Sequence, residues 1–142
     1  MSEINRVNGV FSISVRVYWE DTDAGGVVYY ANYLKFLERA RTEWLRAAGI
    51  EQSVLREQLD VVFAIRSLSV EYLHPAKLDD LLSISVEIVE LSAVKFSLRQ
   101  AVINETSLAV ICRAEVLAVA LKATDFKPKR IPTELLKRLY PA

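Results

Sequence analysis

The chain holds one cysteine, Cys112, and one histidine, His74, in 142 residues. A lone cysteine forms no intramolecular disulfide, and no grouping of Cys with His offers a zinc site. A lone histidine removes every mechanism that needs two imidazoles. Neither charge is in excess: 18 Lys+Arg balance 18 Asp+Glu, which argues against nucleic-acid binding driven by bulk charge. No stretch approaches the roughly 18 uninterrupted apolar residues of a membrane span. Residues 1–10 carry Glu3 and Arg6 where a signal peptide has its apolar run. A cytoplasmic setting is the expectation. Repeats, low-complexity tracts and linkers are lacking as well.

What is there suffices for a folded core. At 52% hydrophobic and 25% charged, the composition lies outside the range of disordered chains. The length suits one domain over residues 1–142, with 122–142 reading as a basic C-terminal extension. A chain of this size buries roughly two thirds of the surface it exposes when unfolded, so no metal or disulfide staple is required.

Residues 11–20 alternate, with Phe11, Ile13, Val15, Val17 and Trp19 on one face, which predicts a strand. Residues 21–28 (DTDAGGVV) interrupt it. Tyr33, Phe36, Leu37, Ala40, Trp44, Ala47 and Ala48 then form one helical stripe, with Asn32 placed as N-cap and Gly49 as stop. Residues 61–72, 81–91, 94–103 and 107–120 read as four further strands, with a turn at Asn104-Glu105-Thr106. Fourteen residues would extend to roughly 46 Å, so the last strand should curve or bulge. Short connections make neighbouring strands antiparallel. The expected fold is α+β, a curved five-stranded antiparallel sheet wrapped around one long central helix. One helix cannot cover that sheet, so the second apolar face of the last strand is expected to meet another copy of the chain.

The chemistry concentrates in Glu20 to Tyr33, EDTDAGGVVYYANY. Two carboxylates precede two glycines and a helix start. Glycine lets backbone approach a ligand, and a helix start presents unpaired N–H groups. A carboxylate beside such donors is the minimum for hydrolysing an ester or thioester. One oxyanion donor is worth roughly 10²–10³ in rate, and a positioned base roughly 10²–10⁴. The same pattern also serves as a plain turn and cap. A calcium loop fits worse: counting from Asp21, the fifth position is Gly25 and the twelfth Asn32, where an EF-hand needs Asp or Asn and then Glu.

The segment Val15-Arg16-Val17-Tyr18 with Glu20 to Tyr29 resembles the signature of the 4-hydroxybenzoyl-CoA thioesterase type of hotdog-fold enzymes. Asn32-Tyr33, Glu38-Arg39-Ala40-Arg41 and Val70 to Leu82 resemble its Tol-Pal-associated acyl-CoA thioesterase branch. The likeness spans roughly residues 12–138 and implies the hotdog fold already inferred from periodicity. It implies an acyl-CoA thioesterase without metal or redox cofactor. By this resemblance Asp23 is the catalytic carboxylate, acting as nucleophile or general base, and the Tyr30 backbone N–H is the oxyanion donor. Gly25, Gly26, Val27 and Tyr29 would then line the substrate. Members of the branch often carry His where this chain has Tyr30, a change that a backbone donor tolerates. A free aspartate titrates near about 3.9 and is a weak base at neutral pH, so partial burial or direct attack on the carbonyl is expected. Asp21 is expected to hold the loop through its amides.

The cations Lys122, Lys127, Lys129, Arg130, Lys137 and Arg138 outnumber Asp125 and Glu134. They read either as a solvated tail or, for Lys129 and Arg130, as holders of coenzyme A phosphates across a subunit boundary. The family implies a dimer of dimers and leaves acyl carrier protein open as a second donor. Two rivals remain: a hotdog enoyl-thioester hydratase using His74 with a carboxylate, and a non-catalytic acyl-thioester binding or scaffold protein. His74, before Pro75, reads as a loop residue, and Cys112 as a small core residue.

Overall fold

The computed structural model describes residues 6–7 and 10–139. Its strands are β1 (Arg6–Val7), β2 (Val10–Arg16), β3 (Val61–Tyr72), β4 (Leu81–Leu91), β5 (Lys95–Asn104) and β6 (Val110–Lys122). They form one antiparallel sheet in the order β1-β2-β4-β5-β6-β3. The five long strands are those expected, and β1 is a two-residue addition paired to β2. The sheet curves around α1 (Tyr33–Ala47), the hotdog arrangement.

The two periodicities meet in the core. Tyr33, Phe36, Leu37 and Ala40 of α1 pack against Leu82, Ile84 and Val86 of β4, Leu98 and Val102 of β5, and Ala114, Val116 and Ala118 of β6, all buried. Each large apolar side chain enclosed this way contributes about 1.5–3 kcal/mol. Gln100, fully buried among them, donates to the carbonyls of Leu37 (3.1 Å) and Ser85 (3.3 Å), which ties α1 to the sheet. Gly49 ends α1 with φ +79°, its N–H bonding the Arg46 carbonyl while that of Ile50 bonds Leu45. This Schellman stop is the role expected of Gly49.

An extra residue in β3 explains its mixed pattern. Ile65 pairs with Ala118 and Ser67 with Leu117, which leaves Arg66 as a bulge. The inward set therefore changes parity, from Val61, Phe63 and Ile65 to Leu68, Val70 and Tyr72, the partners of buried Val116, Ala114 and Cys112. The long last strand is also irregular, with Ile111 unpaired where Val102 and Ile103 face Cys112 and Val110.

Several expectations need correction. The first strand stops at Arg16, and Trp19 sits on a 3₁₀ turn, 80% exposed, because the Asp21 carboxylate captures the Tyr18 N–H. Asn32 does not cap α1; its side-chain amide donates to Asp21 instead. Residues 107–109 are loop, and Leu108 takes φ +65°. The unforeseen α2 (Gln52–Val54) continues into a π turn, Leu55–Leu59. The C-terminal extension is not a solvated tail: Leu121 bridges Pro128, and Ile131 and α3 (Thr133–Leu139) return to the sheet with Ile131, Leu135 and Leu139 buried. Residues 140–142 lie outside the described residues. On β6 the outward positions carry exposed Arg113 and Glu115 and half-buried Leu117 and Val119. Apolar side chains are also exposed on the inward side of edge strand β3, at Ile65, Leu68 and Tyr72.

Candidate active site

The loop between β2 and α1 is held from inside. Asp21 is buried; its Oδ2 accepts the Tyr18 N–H and its Oδ1 the Asn32 side-chain amide, each at 2.8 Å. Its carbonyl accepts the Tyr29 N–H at 2.9 Å. Asp21 thus fixes both flanks of the loop, the part expected of it. A buried carboxylate is tolerated when its oxygens are satisfied in this way.

Asp23 sits at the exposed tip. Its N–H donates to Val27, its carbonyl accepts from Gly26, and its Oδ1 accepts the Gly25 N–H at 2.8 Å. Gly26 takes φ +80°, a conformation glycine adopts without strain. The amides of Gly25, Gly26 and Tyr29 are therefore occupied within the loop. The Tyr30 N–H, at the start of the turn leading into α1, has no hydrogen-bond partner among the described residues. The carboxylate and the unpaired donor belong to one clamped segment. The partial burial expected of Asp23 is not supplied within one chain, where Asp23 is exposed.

Distant parts of the chain support this loop. The Tyr72 hydroxyl donates to the Tyr30 carbonyl at 3.1 Å, and its ring lies edge-on to Tyr30, centroids 6.1 Å apart. Partial burial pushes the Tyr72 phenol up, so it remains a donor at neutral pH. Ala76 accepts the Val28 N–H through its carbonyl and donates its own N–H to the Tyr33 hydroxyl. Nothing in the local pattern marks Tyr72, because 42 positions separate it from Tyr30.

The remaining candidates divide between this end of the sheet and the other. His74 is nearby, but its Nδ1 is bound to the Val110 carbonyl at 3.0 Å. Cys112 is fully enclosed, and burial pushes its thiol up to about 12, which leaves it unreactive. Lys129 and Arg130 lie at the opposite end of β3: Lys129 Nζ donates to Leu59 at 2.5 Å, and its N–H bonds Ala120. The length of β3 separates the two ends, roughly 36 Å if straight. Within one chain, Lys129 and Arg130 do not meet Asp23. Lys95, which starts β5 opposite Val119, adds a cation to the far end that the C-terminal charge run does not reveal.

A hollow of about 140 Å³ opens between α1 and β3, lined by Trp44, Phe63, Ile65, Phe96 and Leu98, with Arg41 on its wall. Arg41 donates to Gln100 at 3.1 Å. The exposed inward side chains Tyr72, Leu68 and Ile65 form a row from the loop toward this hollow.

The profile of the thioesterase-like superfamily matches residues 17–139. The chain belongs to this superfamily. It is 41% identical over 125 residues to the acyl-CoA thioesterase YbgC of Haemophilus influenzae, covering 88% of this chain and 90% of that one. It is 40% identical over 134 residues to the acyl-CoA thioesterase YbgC of Helicobacter pylori, covering 89% and 97%. Among solved structures, a probable thioesterase from Bartonella henselae superposes with a TM-score of 0.81 at 32% identity, covering 87% of this chain and 99% of that chain. Within the superfamily, the clamped loop, the carboxylate and the helix-start amide are the features that bear on chemistry.

Proposed function

We propose that the protein is an acyl-CoA thioesterase in which Asp23 and the Tyr30 N–H act on the same thioester carbonyl. The observation that carries this reading is the unpaired Tyr30 N–H, held beside the Asp23 loop by Asp21 and Tyr72. As the carbonyl becomes tetrahedral, its oxygen gains negative charge, and a preformed donor stabilises that charge without reorganising. Asp23 either takes a proton from water, whose oxygen then attacks the carbonyl carbon, or attacks directly to give an anhydride that water opens. In both routes the carbon–sulfur bond breaks, coenzyme A leaves as thiolate and is protonated, and the free acid remains. Water and the thioester are the only reactants this scheme uses.

The exposed Asp23 and the separation of Lys129 and Arg130 from it favour a site completed by a second copy. β3 is an edge strand with a free side. A two-fold antiparallel pairing of β3 with its copy sets the Tyr72 end of one chain beside the Val61 end of the other. Lys129 and Arg130 of one copy would then meet coenzyme A phosphates bound at Asp23 of its partner. Gly25, Gly26, Val27 and Tyr29 flank the thioester, and the acyl group follows Leu68 and Ile65 toward the hollow. Two such pairs would make a tetramer, working in the cytoplasm. No described helix is long and apolar enough to cross a membrane. Membership of the Tol-Pal-associated branch and the use of acyl carrier protein thioesters belong to the same proposal.

Release of free thiol from a panel of aliphatic and aromatic acyl-CoAs tests the reading. Thiol release is expected; hydration of an enoyl-CoA, or binding without turnover, overturns it. Single-turnover hydrolysis in ¹⁸O-water separates the routes, since label retained in Asp23 marks direct attack.

A further inference from the structure

The hairpin after β6 presents an aromatic ring to solvent in a way that packing does not require. Phe126 is 68% exposed and takes φ +60°, the left-handed region that side chains with a Cβ rarely adopt. No aromatic partner lies near it among the described residues. The hairpin itself is firmly built. Asp60 accepts the N–H and hydroxyl of Thr124 through its two carboxylate oxygens, each at 3.0 Å. Its carbonyl accepts the Ala123 N–H, and Asp125 accepts the Lys127 N–H at 2.9 Å. Lys122 and Lys127 close the hairpin backbone, with the Lys122 N–H bonding the Lys127 carbonyl at 2.8 Å.

Lys122 and Lys127 are paired through the backbone of the hairpin that carries this ring, Lys129 (its Nζ on the Leu59 carbonyl) and Arg130 follow it in sequence, and none of the four forms a salt bridge among the described residues. Asp125 within the hairpin and Asp60, which meets it from the start of β3, are engaged with backbone and Thr124. An exposed ring on a built hairpin that also carries cations without carboxylate partners fits a purine base attached to phosphates. The base stacks on the ring and the cations hold the phosphates.

We propose that Phe126 is the stacking platform for the adenine of the coenzyme A substrate, with the neighbouring cations on its 3′-phosphate and pyrophosphate. This rests on the acyl-CoA reading above, and adds that the nucleotide end is gripped by a base contact as well as by charge. It makes the enzyme discriminate between acyl-CoA and thioesters that share the pantetheine arm but lack the nucleotide.

The test compares one acyl group carried on coenzyme A and on pantetheine, using full-length protein, Phe126→Ala and Phe126→Trp. For wild type, KM is lower with acyl-CoA. In Phe126→Ala that preference shrinks about tenfold, the size of a lost base stack, and Phe126→Trp retains it. Titration of adenosine 3′,5′-bisphosphate, which needs no turnover, weakens by the same factor in Phe126→Ala. An unchanged KM preference and bisphosphate affinity in Phe126→Ala overturns the proposal. So does a change in particle mass on that substitution, which would make Phe126 an assembly contact. If wild type hydrolyses neither thioester, the thioesterase reading fails while the bisphosphate titration still decides the fate of Phe126.

Discussion

At the Tyr72 end of β3 the chain gathers a carboxylate, an unpaired amide and three tyrosine rings, Tyr29, Tyr30 and Tyr72. At the Val61 end lie Lys122, Lys127, Lys129 and Arg130, with an exposed phenyl ring, Phe126, on the hairpin after β6. The first end is tied inward by the buried hydrogen bonds of Asp21, and in the proposed function it supplies the groups that act on the carbonyl. The second is tied to the rim of the sheet through Leu59 and Ala120, and in the proposed function it meets the nucleotide. On the proposed reading, the contrast separates groups held by the loop's hydrogen bonds from recognition groups, which need only reach the right region.

The sharpest break in this contrast is Asp23→Asn. Turnover is expected to fall by about 10²–10⁴, with an unchanged thermal midpoint by circular dichroism because the Asp23 carboxylate holds only a loop tip. Turnover near wild type would remove Asp23 from the chemistry. Leu68→Asp on the exposed inward side of β3 comes next. It should prevent pairing, reduce the particle to the 16.1 kDa monomer and abolish thiol release while Asp23 stays in place. A fully active monomer would show that each end works alone. Lys129→Glu with Arg130→Glu should raise KM for acyl-CoA about tenfold, as loss of two charge-assisted contacts implies, and a KM at the wild-type value would detach the basic end from the substrate.

The smallest effect concerns Cys112, beneath the reacting end. Its thiol is raised by burial from the ordinary value of 9.0 to about 12. The folded state therefore keeps a proton that the unfolded chain gives up, so this contribution is whole below about pH 9 and is lost as pH rises toward 12. Urea midpoints between pH 9 and 11 should decline more steeply for wild type than for Cys112→Ala. Equal slopes would mean that Cys112 is not enclosed as described.

The periodic parts of the molecule are legible in the sequence itself. The stripe from Tyr33 to Ala47, the stop at Gly49 and the alternation of Leu82, Ile84 and Val86 are local signals, and the structure follows them. Asp21 holds the loop as its setting suggests, whereas Asp23, for which partial burial is one expectation, is exposed. Other features depend on distant partners. Tyr72 reaches Tyr30 only because the sheet curves, and Asn32 leaves its capping place because a buried carboxylate makes the better partner. The C-terminal segment misleads by its charge, since Ile131, Leu135 and Leu139 carry it back onto the sheet while its cations stay outside. Charge runs describe a surface, and three spaced apolar residues decide the path.

Arg66 gives β3 one residue of slack. Ile65 and Ser67 already stand opposite successive residues of β6, Ala118 and Leu117, so the ladder has no place that Arg66 must fill. Removing it would join those two neighbours with Leu68, Val70 and Tyr72 still turned toward the helix, and the greasy row would survive. What would go is the local bend and added twist that a spare residue gives a strand. The phenol of Tyr72 would keep its side of the sheet and lose its aim at the Tyr30 carbonyl. An arginine with no seat in the ladder thus shares its strand with the hydroxyl that meets the Tyr30 carbonyl.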